Sequence, residues 1–372
     1  MFENLKVLEL ASVLAGPSVG QFFAEMGAEV IKIENLKTGG DVTRSWKGST
    51  EKEGDISAYF CCCNWGKKSV ALDLNTIEGK SIVHRLALRS DIIIASYKPG
   101  DAEKLGVSYD QLSLINRQLI YGQITGYGSQ SDQVGYDAVI QAESGFMDLN
   151  GEKDGPPVKM PVALIDVLAG HQLKEALLLA LIKKERSGKG SFVEVSLLQT
   201  AVSSLANQAT NWLVADVLPI RKGSAHPNIA PYGEVFKTSD DKLLLLAVGN
   251  DKQFKNLMKI LGNPLIAELS LYSTNEARVR NRKSLRETLV PLIQQIESQK
   301  LLTQLHFEKV PGGLIQNIQQ LFEMPEAKEM ILVAESLKGV RVFAGSGLEG
   351  MADQLSAPPS LGQHNNEIIA SL

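Results

Sequence analysis

Asp166 is the carboxylate whose setting in the sequence most favours chemistry. It lies in the segment PVALIDVLAG, residues 161–170, at the entry to an otherwise apolar helical stretch. One interpretation is an N-cap or first-turn aspartate, which the helix dipole favours. The other is a nucleophile or a base, because a carboxylate among apolar neighbours loses solvation and becomes more reactive. The pattern alone leaves both interpretations open.

Other side chains of catalytic type fit fewer reactions. Asp137, in the segment GYDAVIQ, is most simply a helix-capping carboxylate. The five histidines form no i, i+4 pair and no H-x-x-E-H motif, which disfavours a zinc site. Cys61, Cys62 and Cys63 are consecutive and cannot build a disulfide framework, so buried structural cysteines are the favoured interpretation. No G-x-S-x-G elbow supports a serine hydrolase.

Alternating strand and helix patterns must position these groups. Strands are predicted at residues 6–10, 29–34, 69–74, 91–95, 119–125 and 191–197, and helices at 18–26, 78–89 and 166–181. Strands separated by helical segments predict right-handed crossovers and a mostly parallel, Rossmann-like α/β sheet. The first strand is not followed by G-x-G-x-x-G, and there is no Walker lysine motif. A nicotinamide or flavin dinucleotide is therefore disfavoured.

The chain length and its loop-rich stretches predict two domains. A large Rossmann-like domain is expected over residues 1–200, completed by the C-terminal 320–372. A small α+β domain is expected over 224–310, where a hairpin pattern precedes several helices. The linkers are then about 201–223 and 311–320. A chain of 372 residues is long enough for this division.

Composition excludes several classes of protein. Hydrophobic residues are 44% and charged residues 22% of the chain, as in ordinary folded domains. The formal net charge of −4 disfavours a dedicated nucleic-acid binder. The start MFENLKVLEL has no basic region before an apolar one, and the apolar runs are far shorter than the ~20 residues of a membrane span. We therefore expect a cytoplasmic protein with no nucleic-acid or membrane partner.

A series of segments, in this order along the chain, resembles the class III CoA-transferases, the family of formyl-CoA transferase and carnitine CoA-transferase. The segments are VLELASVLAGP, GAEVIKIE, GGDVTRSW, NWGKKSVALDL, YKPGDAEKLG, GYDAVIQAESG, the Asp166 segment, SGKGSFVEVSLL, HPNIAPYG and LGQHNNEI. The resemblance implies CoA transfer from an acyl-CoA donor to a small carboxylic acid, through an aspartyl-CoA thioester on Asp166. It also implies an interlocked homodimer, coenzyme A as a substrate, no tightly bound cofactor and no metal.

The same resemblance implies which residues contact CoA. They are Leu14, Ala15, Asn35, Leu72, Asp73, Leu74, Asn75, Ser96, Tyr97, Lys98, Lys104, Val134, Gly135, Tyr136 and Asp137. The chain departs from the family at Asn35, where the family often has Arg, and at Ser96–Tyr97, where it often has Asn-Phe. Tyr97 keeps an aromatic face for adenine. Lys98 and Lys104 are the candidates to supply the charge that Asn35 lacks.

Two alternatives remain. The α-methylacyl-CoA racemases of the same superfamily use a His/Asp pair, and here Tyr136 stands where the histidine would be. A phenol is a poor base at neutral pH, which disfavours this activity. The other alternative is a CoA-binding protein without transfer activity, against which the presence of Asp166 argues. Residues 223–233 resemble members that use dicarboxylates such as succinyl-CoA, and backbone N–H groups near Gly145 or Gly249 are candidate oxyanion donors.

Overall fold

The computed structural model describes residues 1–51, 56–345 and 347–372, which form two compact units. The larger unit comprises residues 1–146, 159–217 and 328–372, and the smaller unit comprises residues 147–158 and 218–327. The smaller unit therefore begins earlier and ends later than the domain expected at 224–310. Backbone pairing explains one difference, because a strand at Gly312–Leu314 joins the smaller unit's sheet within the expected linker 311–320.

The larger unit is built on one six-stranded parallel sheet. Its strands are β1 Lys6–Leu10, β2 Glu29–Asn35, β3 Lys67–Leu72, β4 Ile92–Ala95, β5 Ile120–Thr125 and β6 Ser191–Ser196. Their order is β3-β2-β1-β4-β5-β6 and every neighbouring pair is parallel. This is the Rossmann strand order, in which the chain reverses direction across the sheet between β1 and β4. The expected parallel α/β architecture is confirmed.

Helices cover both faces of this sheet. The α-helices of the larger unit are Ala15–Glu25, Ala58–Cys61, Ile77–Leu88, Asp101–Leu105, Tyr109–Ile115, Asp137–Glu143, Leu164–Ser187, Leu197–Ser204, Asn207–Leu213 and Asn365–Ala370. Short 3₁₀ turns lie at Leu36–Thr38 and Val42–Ser45. The helices Ala15–Glu25 and Leu164–Ser187 bury their apolar side chains on one face of the sheet. The helix Ile77–Leu88 does so on the other face. Burying apolar area on both faces explains the unbroken apolar run of β4.

One predicted strand differs from the observed one for a local reason. The third strand ends at Leu72 rather than residue 74, because Asp73 turns the chain by accepting the backbone N–H of Asn75 at 3.0 Å. Within the expected linker 201–223, the helices Leu197–Ser204 and Asn207–Leu213 are separated at Ala206, whose φ of +48° is incompatible with a right-handed helix.

The smaller unit is an antiparallel sheet covered by helices. Its strands are β7 Tyr232–Lys237, β8 Leu243–Ala247 and β9 Gly312–Leu314. Its helices are Asp251–Ile260, Asn275–Arg280, Arg282–Ile293, Ser298–Phe307 and Ile318–Leu321, with a 3₁₀ turn at Pro264–Glu268. A bulge in β7 at Gly233 uses a φ of +88°, which suits glycine. These elements enclose a separate apolar core.

Short elements complete the chain. The helices Phe146–Leu149 and Pro325–Lys328 lie where the chain passes between the two units. An antiparallel hairpin of β10 Ile331–Ala334 and β11 Leu337–Val340 belongs to the larger unit. Within the described residues, no helix is long and apolar enough to cross a membrane.

Candidate active site

A cleft opens in the larger unit at the carboxyl ends of the strands. Its volume is about 340 Å³. Ser12 and Val13 follow β1, and Ser96 to Pro99 follow β4, so the cleft lies where the strand order reverses. The crevice at such a reversal is the usual ligand site of open α/β sheets. The topology alone therefore identifies this cleft as the candidate active site.

Asp166 lies in this cleft, in the first turn of the helix Leu164–Ser187. Its side chain is buried, with 9% exposure. Burial, followed by the nearby negative charge of Asp137, raises its pKa from 3.8 to about 7. No hydrogen bond from a described residue contributes to this shift. An incompletely solvated carboxylate that is half ionised near neutral pH can act as a nucleophile or a base.

Asp137 fixes the start of the helix that carries Asp166. Its Oδ1 accepts the backbone N–H of Ile165 at 2.8 Å, and its Oδ2 accepts Gln141 Nε2 at 2.7 Å. Gln141 Oε1 in turn accepts the backbone N–H of Met160 at 2.9 Å. Asp137 therefore satisfies one of the free N–H groups at this helix start, although it lies far away in the sequence. Asp137 is thus a capping residue, but it caps the helix Leu164–Ser187 rather than its own helix Asp137–Glu143.

The loop after β1 contains Val13 in a left-handed conformation, and a buried carboxylate binds its N–H group. Val13 has a φ of +74°, which is unfavourable for a β-branched residue. Its N–H donates to the Asp41 carboxylate, with the shorter distance 3.2 Å. Asp41 pairs with Lys32 at 2.9 Å, and Lys32 pairs with Glu9 at 2.8 Å, all of them buried. Burial alone would lower the pKa of Lys32, yet the carboxylates of Glu9 and Asp41 raise it.

Aromatic rings form a further part of the site. Trp46 lines the cleft and contacts Tyr59 edge to face, with ring centroids 5.1 Å apart. Burial, followed by negative charge on Cys62 and Asp166, raises the pKa of Tyr59 to about 12. Tyr59 is therefore close to the candidate nucleophile. The sequence patterns did not indicate either ring. Their only signal was the position of Trp46 at the end of the GGDVTRSW segment.

The structure brings together about half of the residues expected to contact CoA. With Asp166, the cleft is lined by Ala15, Ser96, Tyr97, Lys98, Val134, Gly135, Tyr136 and Asp137. The remaining expected residues do not line it: Leu14, Asn35, Leu72, Asp73, Leu74, Asn75 and Lys104. Five of these seven residues lie at or just after the carboxyl ends of β2 and β3, which are on the same edge of the sheet. They fit a ligand that extends along this edge from the cleft.

A lysine that the sequence patterns did not indicate lies at this edge. The Asn35 side chain is engaged as a cap and accepts the backbone N–H of Lys37 at 3.0 Å. The Lys37 Nζ lies 2.7 Å from Asp73 Oδ2, and this contact is the main reason that the pKa of Asp73 falls to about 2. Lys37 is two-thirds exposed. The positive charge absent at Asn35 is thus present two residues later.

The expected adenine and phosphate contacts differ in exposure. Tyr97 is half-buried against the core of the larger unit, and burial raises its pKa to about 12. Lys98 is exposed at the mouth of the cleft. Lys104 is exposed too, but it lies outside the cleft lining, with its Nζ 3.2 Å from Asp101 Oδ1. Lys98 is therefore the cation better placed for a bound anion.

A metal ion would need several ligand side chains close together, and an oxyanion would need N–H donors. No group of three or more His, Cys, Asp or Glu residues that could hold a metal ion occurs within the part of the chain that the structure describes. Gly145 has a φ of +86° and follows the helix Asp137–Glu143. The Gly249 N–H donates to Gln253 Oε1 at 2.8 Å within the smaller unit. That hydrogen bond makes it a weaker candidate than Gly145 for an oxyanion donor.

A Rossmann-ordered sheet with a buried, weakly acidic carboxylate at its reversal point is typical of α/β enzymes that bind a nucleotide-bearing substrate in this crevice. The model of CoA-transferase family III matches residues 2–365, so the chain belongs to this family. The resemblance described above is thereby confirmed. Members of this family act on CoA thioesters, and this chain is an acyl-CoA:carboxylate CoA-transferase.

Several known proteins are similar to this chain over nearly its whole length. A succinate–glutarate CoA-transferase of Agrobacterium fabrum is 40% identical, over 99% of this chain and 95% of that protein. A human succinyl-CoA:glutarate CoA-transferase is 35% identical, over 99% of this chain and 85% of that protein. A crystal structure of a CAIB/BAIF family protein from Brucella suis is 38% identical, with a TM-score of 0.84, over 99% of this chain and 98% of that chain.

Proposed function

We propose that Asp166 is the nucleophile and carries CoA as an aspartyl-CoA thioester. The observation that carries the proposal is a buried carboxylate in the cleft, with a pKa raised to about 7 by burial and by the charge of Asp137. Such a group is ionised in part at neutral pH. A donor thioester is already activated, so a carboxylate of this kind can attack it directly.

The reaction then has four steps. The Asp166 carboxylate attacks the thioester carbonyl, forming a mixed anhydride and releasing CoA thiolate. The thiolate attacks the Asp166 carbonyl carbon, which forms the aspartyl-CoA thioester and releases the donor's carboxylate. The acceptor carboxylate attacks that thioester, giving a second mixed anhydride and CoA thiolate. The thiolate attacks the acceptor's acyl carbon, which gives the new acyl-CoA and restores the Asp166 carboxylate.

The surrounding groups support these steps. Asp137 holds the N-terminal turn of the Asp166 helix through the Ile165 N–H, so the carboxylate keeps its place while covalent bonds form and break. Lys98 at the cleft mouth and Lys37 at the sheet edge offer positive charge for the phosphates of CoA. Tyr97 offers an aromatic face for adenine.

Dicarboxylic acids are the proposed substrates. The proposal rests on relatives named for succinate, succinyl-CoA and glutarate at 40% and 35% identity, and on the resemblance of residues 223–233 to members that use dicarboxylates. A panel of acyl-CoA donors crossed with monocarboxylic and dicarboxylic acids, followed by mass spectrometry, tests it. Glutarate and succinate should be the best acceptors.

A homodimer is the proposed assembly. Exposed apolar side chains follow one another along the end of the helix Asn207–Leu213 and just beyond it, among them Trp212, Leu213 and Val214 with exposures of 50%, 75% and 79%. Burying them against a second copy would remove a large apolar area from water. Sedimentation equilibrium should give twice the chain mass.

Isotope transfer tests the covalent role of Asp166. An acceptor carboxylate labelled with oxygen-18 should leave one labelled oxygen on Asp166 after turnover, because it is the acceptor oxygen that stays with the aspartate. Mass spectrometry of the tryptic peptide between Lys159 and Lys174 reads this label. Asp166→Ala should show neither label nor transfer. Turnover of wild-type protein without label on Asp166 would refute the aspartyl-CoA path.

A second trap gives the same answer by different chemistry. Hydroxylamine attacks a thioester, so incubation with acyl-CoA should convert Asp166 to its hydroxamate. The control omits acyl-CoA and should leave the residue unmodified. Modification that does not depend on acyl-CoA would contradict the thioester intermediate.

A further inference from the structure

The three consecutive cysteines have no role in the transfer reaction, yet their thiols differ sharply in environment. Cys62 is exposed, Cys61 is partly buried, and Cys63 is fully buried. They lie at the end of the short helix Ala58–Cys61 and just beyond it, and Tyr59 of this helix contacts the cleft residue Trp46. One thiol of the three is therefore accessible to a reagent in solution.

Cys62 is also the thiol whose ionised form is favoured. A hydrogen bond from the Cys63 thiol lowers the pKa of Cys62, and the positive charge of Lys67 adds to this effect. Burial instead raises the pKa of Cys61 to about 11. Because the thiolate is the reactive form in disulfide exchange, Cys62 is the nucleophile of the cluster.

Contacts connect this thiol to the cleft. Cys63 Sγ lies 3.5 Å from the carbonyl oxygen of Val13, which lines the cleft. The helix that leads into Cys62 also carries Tyr59, whose ring centroid lies 5.1 Å from that of the cleft residue Trp46. The exposed thiol is therefore close in the chain to two residues in contact with the cleft lining.

We propose that Cys62 is a modification site that exchanges with CoA disulfide and thereby blocks the cleft. The Cys62 thiolate attacks one sulfur of CoA disulfide, so a Cys62–CoA mixed disulfide forms and one CoA thiolate leaves. The disulfide supplies the oxidising equivalents, and no other oxidant is needed. The cleft's affinity for CoA would bring the reagent to this thiol. The inference therefore rests on the proposed position of CoA in the cleft, but not on covalent chemistry at Asp166.

Two disulfide reagents with the same reactive end distinguish binding of the CoA nucleotide by the cleft from the intrinsic reactivity of the Cys62 thiol. CoA disulfide carries the nucleotide, whereas pantethine has the same thiol but no nucleotide. We expect CoA disulfide to add one CoA per chain, on Cys62, about tenfold faster than pantethine reacts. Intact mass and peptide mapping measure the rate and the position. Equal rates for the two reagents, or modification of Cys61 instead, would overturn the proposal.

Activity measurements complete the test. CoA disulfide should abolish CoA transfer by wild-type protein, and dithiothreitol should restore it. Cys62→Ser should transfer CoA at the wild-type rate and resist inactivation, with Cys61→Ser as the matched control that stays sensitive. Inactivation of Cys62→Ser at the wild-type rate would overturn the proposal. Asp166→Ala should still be modified on Cys62, so failure of the aspartyl mechanism and failure of this proposal give different results.

Discussion

Replacing Asp166 by asparagine should stabilise the protein increasingly as the pH rises. The folded protein raises the pKa of Asp166 from 3.8 to about 7, through burial and then the charge of Asp137. Below pH 4 the carboxyl is protonated in both the folded and the unfolded chain, so it adds no pH dependence. Between pH 4 and 7 the unfolded chain loses the proton while the folded chain keeps it, so wild-type stability falls as the pH rises.

The size of the effect follows from the shift. About three pKa units at ~1.4 kcal/mol each give about 4 kcal/mol of lost stability above pH 7. Asparagine has nearly the same shape and does not titrate. The difference in unfolding free energy between Asp166→Asn and wild type should therefore grow by about 4 kcal/mol from pH 4 to pH 8. Effects of ionisable groups that do not interact with Asp166 cancel in this difference.

Urea unfolding at several pH values measures this difference. Asp132→Asn is the matched control, because Asp132 is exposed and its replacement should give a difference that stays constant with pH. Intact mass must show that the introduced asparagine has not deamidated to aspartate. A difference for Asp166→Asn that does not increase with pH would refute the argument that burial holds this carboxylate in an unfavourable state.

Four further predictions follow from the site. The kcat/KM for transfer should rise with pH, with a midpoint at about 7, as Asp166 ionises. Asp137→Asn should move this midpoint downward because it removes the neighbouring charge, whereas Asp132→Asn should not. An unchanged midpoint in Asp137→Asn would contradict the electrostatic coupling. Lys98→Ala should raise the KM for acyl-CoA more than Lys104→Ala does, because Lys98 lines the cleft, and the effect should be larger at low salt than at high salt. Calorimetry should likewise show that Lys98→Ala weakens CoA binding more than Lys104→Ala does. A larger effect of Lys104→Ala would move the phosphate contacts to Lys104. A 2-methylacyl-CoA incubated with the protein in deuterated water should gain no deuterium at its α-carbon, because Tyr136 supplies no base comparable to histidine. Its CoA should nevertheless be transferred to a free carboxylate. Rapid deuteration without CoA transfer would favour the racemase alternative. Asp41→Ala should lower the unfolding free energy by about 3–5 kcal/mol, because Lys32 loses one buried partner and the Val13 N–H loses its acceptor. A loss below about 1 kcal/mol in urea unfolding would show that these buried contacts of Asp41 contribute little to stability.

Local patterns were sufficient to predict the sheet and to single out Asp166, whose role as a nucleophile was an implication of the family resemblance. The apolar runs of β1 and β4 are recognisable because both faces of these strands are buried. Asp166 stands out because it interrupts an apolar helix start, and the ordered segments around it are typical of the family that the comparisons confirm. These features lie within short stretches of sequence.

The features that the sequence did not predict depend on contacts between distant residues. The hydrogen bond from Val13 to Asp41 joins positions 28 apart, and Asp137 caps a helix that begins 27 residues later. The ion pair of Lys37 with Asp73 depends on how β2 and β3 end side by side. No pattern of residue types reports such contacts, because many sequences with the same pattern would place other residues there.

Residues 365–372 have a consequence for how the protein is made, because they cover a strand that is synthesised long before them. Asn365 accepts the backbone N–H of Ala71 at 2.8 Å and donates to its carbonyl at 3.0 Å, so it stands in for a neighbouring strand along β3. Arg89 binds the carbonyl oxygens of Ser371 and Leu372. Asn365 and Ala71 are 294 positions apart, so the outer edge of β3 stays uncovered while the residues between them are being synthesised. An uncovered edge can pair with another nascent chain, which makes this interval a period of aggregation risk.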